Sequence, residues 1–331
     1  MRIAAAILAL MILAAGNAQA LSRFPEGGTG ITPEVTALLA KASPDQKTIR
    51  IDDMVFRVET LTKSGFIGDI WPSGIVYYNF DSHLTTYECN QWRAAAATWS
   101  QAANLTFTEV TDPPPFSPYI YVFEGDGNWS EVGYQGSRQE MSIVSWDYIY
   151  VIAHEICHAL GFKHEHSRTD RDNYVQINWD NIIDDEEYNF EIAETINLTD
   201  YDFDSVMHYA ACDFVWDFLP CPPYYSITVL PPFNTVWQDS IGQRTHLSAD
   251  DIIGMGIVYG ASCHGPIYVD GNAVGPQNGS LLFPFQSLAM AVGFSCPGAE
   301  IRLLPGYHAF APITIADQVL ITAPQGSAVV Q

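Results

Sequence analysis

From Trp71 onward the chain alternates short β-branched and aromatic runs with longer helical stretches. Ile75–Phe80 is β-branched and aromatic and predicts a strand. Residues 91–103 are rich in Ala and Trp and predict a helix. Strands are expected over 105–110 and Tyr119–Phe123, separated by the break Pro113-Pro114-Pro115. A further helix is expected over 148–160. Gly161 stops it, because glycine accepts the left-handed backbone that a helix exit needs. Ala249–Tyr259 reads as a last long helix, opened by Ser248 and Asp251 as a variant capping box.

The flanks differ in texture. Residues 21–65 are charged and mixed, with weak helical periodicity around 35–41. They carry no recognisable site chemistry and read as a pro-segment or N-terminal extension. After Cys263, Gly, Pro and short β-rich runs alternate to Gln331, with helix punctuation only over 287–292, so a domain boundary is expected near 261–265.

A chain of 331 residues with 48% hydrophobic positions can bury a large core. Its 38 acidic residues against 14 basic ones give a net charge of -24, which disfavours nucleic acid and anionic membrane surfaces as partners. The first 20 residues have the form of a secretory signal peptide. Arg2 precedes an apolar stretch too short to span a bilayer, and Ala18-Gln19-Ala20 is a small-residue cleavage site. The expected product is secreted, has no membrane contact after cleavage, and has six cysteines free to pair in an oxidising compartment.

The chemistry concentrates in His154-Glu155-Ile156-Cys157-His158-Ala159-Leu160-Gly161-Phe162-Lys163-His164. Two histidines four residues apart share a helix face, and their imidazoles can reach one ion. Gly161 lets the chain swing back so that His164 supplies a third nitrogen. Three neutral nitrogens leave a position open for water, the mark of a catalytic zinc site. Glu155 is placed to take a proton from that water and pass it to a leaving amine. Downstream, Ser205-Val206-Met207-His208-Tyr209 fits a Met-turn beneath such a site, with Tyr209 able to donate to a developing oxyanion.

Together these motifs mark a metzincin, and the chain resembles the astacin family over about 66–263. Glu165-His166-Ser167-Arg168-Thr169-Asp170-Arg171-Asp172-Asn173-Tyr174-Val175 continues the zinc motif as in that family. Trp71-Pro72-Ser73-Gly74-Ile75-Val76-Tyr77-Tyr78 is similar to its opening strand, and 247–259 to its closing helix. The resemblance implies a two-lobed α+β endopeptidase acting on protein or peptide substrates, with one Zn2+ per chain held by His154, His158 and His164. It implies catalysis by Glu155 and Tyr209, the latter as a switchable fifth ligand, and Met207 as the residue beneath the metal. It also implies that Glu165 receives the matured N-terminus and that 128–130 offers an edge strand to substrate. Phe66-Ile67-Gly68-Asp69 is similar to the pro-segment motif whose aspartate caps the zinc in latent members. Asp69 is thus either a latency ligand or part of the mature domain's start. Asn104 and Asn128 stand where the resemblance implies cysteines. Cys212 and Cys221 bracket a short loop and are expected to bridge, and Cys263 with Cys296 would tie the last segment to the protease.

Residues 267–307 resemble the first coil of a right-handed parallel β-helix, of which only one or two repeats fit before Gln331. That segment and the acidic surface motivate a different class of reading, an inactive metzincin-fold adhesion or binding protein. The presence of both Glu155 and Tyr209 weighs against it. Oligomeric state has no signature in the sequence.

Overall fold

The computed structural model describes residues 48–57, 70–193, 195–275, 277–308, 313–316 and 318–330. The signal sequence, the periodic stretch 35–41 and Asp69 lie outside them.

The strands in chain order are β1 (Thr48–Ile51), β2 (Met54–Arg57), β3 (Ile75–Phe80), β4 (Thr106–Glu109), β5 (Tyr119–Phe123), β6 (Trp129–Glu131), β7 (Arg138–Ser142), β8 (Val175–Ile177), β9 (Ile227–Val229), β10 (Ile267–Val269), β11 (Glu300–Leu303), β12 (Gly306–His308), β13 (Leu320–Thr322) and β14 (Ala328–Val330). Three helices position the site, α1 (Thr86–Ala102), α2 (Ile149–Ala159) and α3 (Ala249–Tyr259), and a fourth, α4 (Leu288–Phe294), belongs to the last segment. Helix α1 starts earlier than its Ala-rich part. Thr85 and Glu88 form a capping box that satisfies the first amides and extends the helix backward over polar residues. The capping box of α3, Ser248 with Asp251, is present in full.

Among the described residues, the main sheet runs β1-β2-β6-β7-β5-β3-β4. Parallel pairs join β4, β3, β5 and β7, and β6 turns back antiparallel onto β7. Helices α1 and α2 pack on this sheet around a core that includes Val76, Trp92, Trp99, Ile120, Ile152 and Ile156. The indole N–H groups in this core are not left unpaired. Trp99 donates to the Ala153 carbonyl at 2.8 Å and Trp71 to that of Ala159 at 2.9 Å. Tyr259 of α3 donates to Leu160 at 2.8 Å. Trp71, α1 and α3 are thus fixed along α2 from its middle to its exit, where buried polar groups demand partners.

A second lobe forms round the β8–β9 pair and buries Phe190, Tyr201, Phe203 and Tyr209. Cys212 and Cys221 are bonded within it. In the last segment, β10, β11 and β13 pair in parallel and β12 pairs in parallel with β14, over a small core of Ile267, Val269, Phe285, Leu288, Ile301 and Leu303. Cys263 and Cys296 are bonded, joining the end of the protease region to the start of β11.

The N-terminal segment differs from its sequence reading. Residues 48–57 carry a two-residue hairpin, with Ile51 opposite Met54 and only Asp52 and Asp53 in the turn. Asp52 has φ +52°, a left-handed conformation that Asp tolerates and primed hairpin turns require. Strand β2 then adds in parallel to β6, pairing Met54 with Ser130 and Val55 with Glu131.

Candidate metal centre and active site

Helix α2 carries His154, Glu155 and His158, all buried. At its end the His158 carbonyl accepts from Gly161 at 2.9 Å. With Gly161 at φ +100°, the chain reverses and returns His164 to the same place. The Nε2 atoms of His154, His158 and His164 lie 3.1, 3.2 and 3.3 Å apart. Nitrogens at ~2.0–2.1 Å from one tetrahedral ion would stand about 3.3 Å from each other. Backbone partners set the tautomers. His154 Nδ1 meets the Val206 carbonyl at 2.8 Å and His158 Nδ1 the Phe162 carbonyl at 2.8 Å. A ring that donates from Nδ1 presents an Nε2 lone pair, and lone pairs converging on one point call for a cation. Burial lowers the pKa of His154 to about 3 and also lowers that of His164, which keeps these rings in the neutral, ligating form.

A fourth donor comes from the hairpin turn. Asp53 places Oδ2 3.0 Å from His154 Nε2, and Oδ1 3.3 Å from His158 and 3.1 Å from His164. Oδ1 is buried and has no hydrogen-bond partner. Burial works to raise this carboxyl's pKa, but the surrounding His164, His158 and His154 outweigh it and hold Asp53 well below the usual range. The four donor atoms fit a closed tetrahedral zinc site. Asp53 thus corrects the reading of the N-terminal segment as free of site chemistry. What hid it is distance along the chain, since the hairpin brings it to residues about a hundred positions away.

Glu155 and Tyr209 flank the cluster. Glu155 is buried and its Oε2 has no partner. Burial first, then the charges of Asp53 and Asp52, push its pKa well up. Tyr209 donates to Asp52, its ring stacks 3.8 Å from that of His166, and it lies 4.6 Å from the ring of His164. Burial pushes the phenol upward, helped by Asp52 and Asp53. In turn, burial and Asp53 raise Asp52 to about 7.

The Met-turn is anchored by α3. Asp251 accepts from Ser205 Oγ at 2.7 Å and from the Val206 amide at 2.9 Å while also capping Ser248 at 2.9 Å. Met207 is buried, and its carbonyl accepts from the Glu165 amide at 3.0 Å. Glu165 pairs with Arg168 at 2.9 Å and accepts from the Asp202 amide at 2.8 Å. Burial still raises its pKa to about 8. It lines a cavity of about 160 Å³ with Ile70, Met207, Asp202 and Asp250. His166 and His208 are packing and hydrogen-bonding residues, with Nε2 atoms on the Asn189 carbonyl and the Tyr201 hydroxyl. Asn128 ties the lead-in of β6 to the next turn by bonds to the Val144 and Ser145 amides and to Ser145 Oγ. Arg244 had no motif to announce it. It is half-buried, bonds the His208 carbonyl at 3.0 Å, and acts electrostatically on His154, Glu155 and Tyr209.

Residues 65–260 match the astacin peptidase family. The chain belongs to the astacin family. Its zinc motif and Met-turn lie wholly within the matched residues. It is 42% identical over 144 residues to high choriolytic enzyme 1 of Oryzias latipes, which covers 43% of this chain and 50% of that protein. It is 40% identical over 151 residues to human meprin A subunit beta, covering 44% of this chain and 20% of that one. The chain therefore spans half or less of these relatives' lengths. The solved structure of high choriolytic enzyme 1, described as a hatching enzyme zinc-protease, superposes with a TM-score of 0.52 at 34% identity. It covers 59% of this astacin-family chain and 94% of that structure. The expected α+β astacin fold and the zinc assignment stand on these matches together with the four-donor cluster.

Proposed function

We propose that this chain is a secreted zinc metalloendopeptidase held latent by its own N-terminal hairpin. The observation that carries the reading is the convergence of three Nε2 atoms at 3.1–3.3 Å, with an unpartnered Glu155 oxygen buried nearby. The proposed organisation is a signal peptide at 1–20, a pro-segment at 21–65, the catalytic domain at 66–263, and a β-rich unit at 264–331 whose parallel ladders suit an incomplete β-helix.

When bound by His154, His158 and His164, zinc polarises the scissile carbonyl and acidifies the attacking water. Glu155 receives the proton of that water on its free oxygen and delivers it to the departing amine. Tyr209 holds its proton firmly, so the phenol serves as a hydrogen-bond donor to the carbonyl oxygen as charge builds there, once Asp52 no longer occupies it. Met207 and Gly161 act structurally, the first beneath the metal and the second at the helix exit. Strand β6 offers its backbone to an extended substrate.

In the unprocessed chain Asp53 fills the position that water needs, Asp52 engages Tyr209, and β2 occupies β6. Asp53, in place of Asp69, is the proposed latency ligand. After processing, Glu165 and the cavity beside it accept the new terminal ammonium. A buried carboxylate with a raised pKa gains most from a cationic partner.

The test is zinc content and casein cleavage by the processed protein and by Glu155→Gln. Glu155→Gln is expected to retain zinc and lose roughly 10²–10⁴-fold in kcat/KM. Equal cleavage by the two proteins would sink the assignment.

A further inference from the structure

The hairpin does more than plug the metal. Its last residue, Arg57, is received by a cup made from the catalytic domain. Arg57 Nε donates to Glu131 Oε1 at 2.7 Å and Nη2 to Glu131 Oε2 at 3.2 Å. Nη1 donates to Ser137 Oγ at 2.7 Å, and Nη2 also to the Arg138 carbonyl at 2.5 Å. The side chain of Glu131 is only 5% exposed, against 20% for Arg57. Within its own domain, Glu131 Oε2 accepts from the Glu140 amide at 2.6 Å. The positive charge of Arg138 itself is directed elsewhere, to Glu140 at 2.9 Å and over the Tyr121 ring. The cup therefore presents acceptors in the fork arrangement that a planar guanidinium matches and an ammonium does not.

Its placement gives it meaning. Glu131 is the last residue of β6, the strand that pairs with β2. Alternate residues of an extended strand share a face, so Val55 and Arg57 of β2 point the same way, and Asp53 stands in the turn that opens the strand. Asp53 marks the metal. Arg57 lies four residues on, roughly 13 Å away at ~3.3 Å per residue. A peptide that brings its carbonyl to the metal along β6 passes the same cup, and on release of the hairpin the Glu131 carboxylate loses its guanidinium cover and keeps the Glu140 amide as its donor from the domain. Such a group has much to gain from a new cation.

We propose that Glu131, with Ser137 Oγ and the Arg138 carbonyl, is a guanidinium-binding subsite. It selects substrates carrying arginine about four residues from the scissile bond, and Arg57 occupies it in the latent protein. This rests on the protease reading above. The contact raises kcat/KM for the Arg peptide, and the split between KM and kcat reads how much of its binding energy is held equally in the ground and transition states.

The experiment uses full-length protein processed between residues 57 and 70. Peptides otherwise identical carry Arg, Lys, Gln or Glu at each position three to five residues on either side of one cleavage bond. At one position Arg is expected to exceed Gln in kcat/KM on the order of tenfold, the worth of a charge-assisted bidentate pair. Lys should fall between them. The Arg-to-Gln ratio should collapse towards one in Glu131→Gln, and Glu131→Arg should favour the Glu peptide. No Arg preference at any position in the wild type overturns the proposal, whatever the variants do, and leaves Arg57–Glu131 as a latch alone. A preference that survives Glu131→Gln overturns it as well. Cleavage of none of the peptides would defeat the protease reading separately. Fluorescence anisotropy of the same peptides on Glu155→Gln protein still decides the subsite, because binding there must follow Arg over Gln without any hydrolysis.

Discussion

Helix α2 and the β1–β2 hairpin end at the same cluster of imidazoles but are bound into the molecule very differently. The helix is gripped from three sides by Trp99, Trp71 and Tyr259, each bonding one of its carbonyls or that of Leu160, and its histidines are oriented by backbone partners. The hairpin has two four-residue strands, two ladder pairs with β6, a few buried apolar residues such as Met54 and Phe56, and polar contacts at its two ends. A two-stranded hairpin alone is marginal in water. The helix is thus a permanent scaffold, while the hairpin is held by the very groups a substrate and a metal would use. This contrast suits a device that must leave.

The sharpest way to break the comparison is to cut the hairpin's contact with the cluster. Asp53→Ala in the unprocessed chain removes a buried charged donor set worth about 1.5–3 kcal/mol. It should raise peptide cleavage before any processing on the order of 10–100-fold. Asp69→Ala in the same assay should leave latency unchanged. Activation by Asp69→Ala and not by Asp53→Ala would show that the contact seen at the metal is not the latency switch.

The same contrast explains what could be read from the chain. The helix signal is local: His154 and His158 are one turn apart, Gly161 follows at the exit, and His164 returns within six residues, so spacing alone predicts convergence. The Met-turn and the capping box of α3 are equally compact. Asp53 and Arg57 are different. Thr48-Ile49-Arg50-Ile51-Asp52-Asp53-Met54-Val55-Phe56-Arg57 does carry a hairpin pattern, two β-branched or apolar runs about an Asp-Asp turn. Nothing in those ten residues, however, says which strand they will join. That is set by the open edge of β6 and by Glu131, both more than seventy residues away. The doubled role of Asp251 was hidden for a related reason. Its place in the capping box is a spacing of three, whereas its bonds to Ser205 and Val206 are tertiary.

Asp251 sharpens the scaffold side. Asp251→Ala should destabilise by about 1–3 kcal/mol, since it strips acceptors from the Ser205 hydroxyl and from the Val206 and Ser248 amides. Burial also holds this carboxyl up, at about 6 against an ordinary 3.8. Between those values the folded protein binds the proton and the unfolded chain does not, so stability falls as pH rises from about 4 to 6. Urea unfolding at several pH values should show that slope in the wild type and a shallower one in Asp251→Asn. Parallel curves for the two would mean that Asp251 titrates normally.

The smallest expected effect lies where scaffold and hairpin meet. Asn128 leads into β6, and its side chain closes the turn at Val144 and Ser145 through three bonds. If β6 is a fixed ledge that the hairpin merely borrows, Asn128→Ala should cost about 1 kcal/mol of global stability. It should speed hydrogen exchange chiefly at the Val144 and Ser145 amides and leave zinc content alone. If instead the hairpin organises β6, exchange across Trp129–Glu131 would accelerate on processing in the wild type. Asn128→Ala would then add to that acceleration much more after processing than before. Exchange rates of the β6 amides in the latent and processed forms therefore decide whether the edge strand belongs to the rigid half of the comparison or to the releasable one.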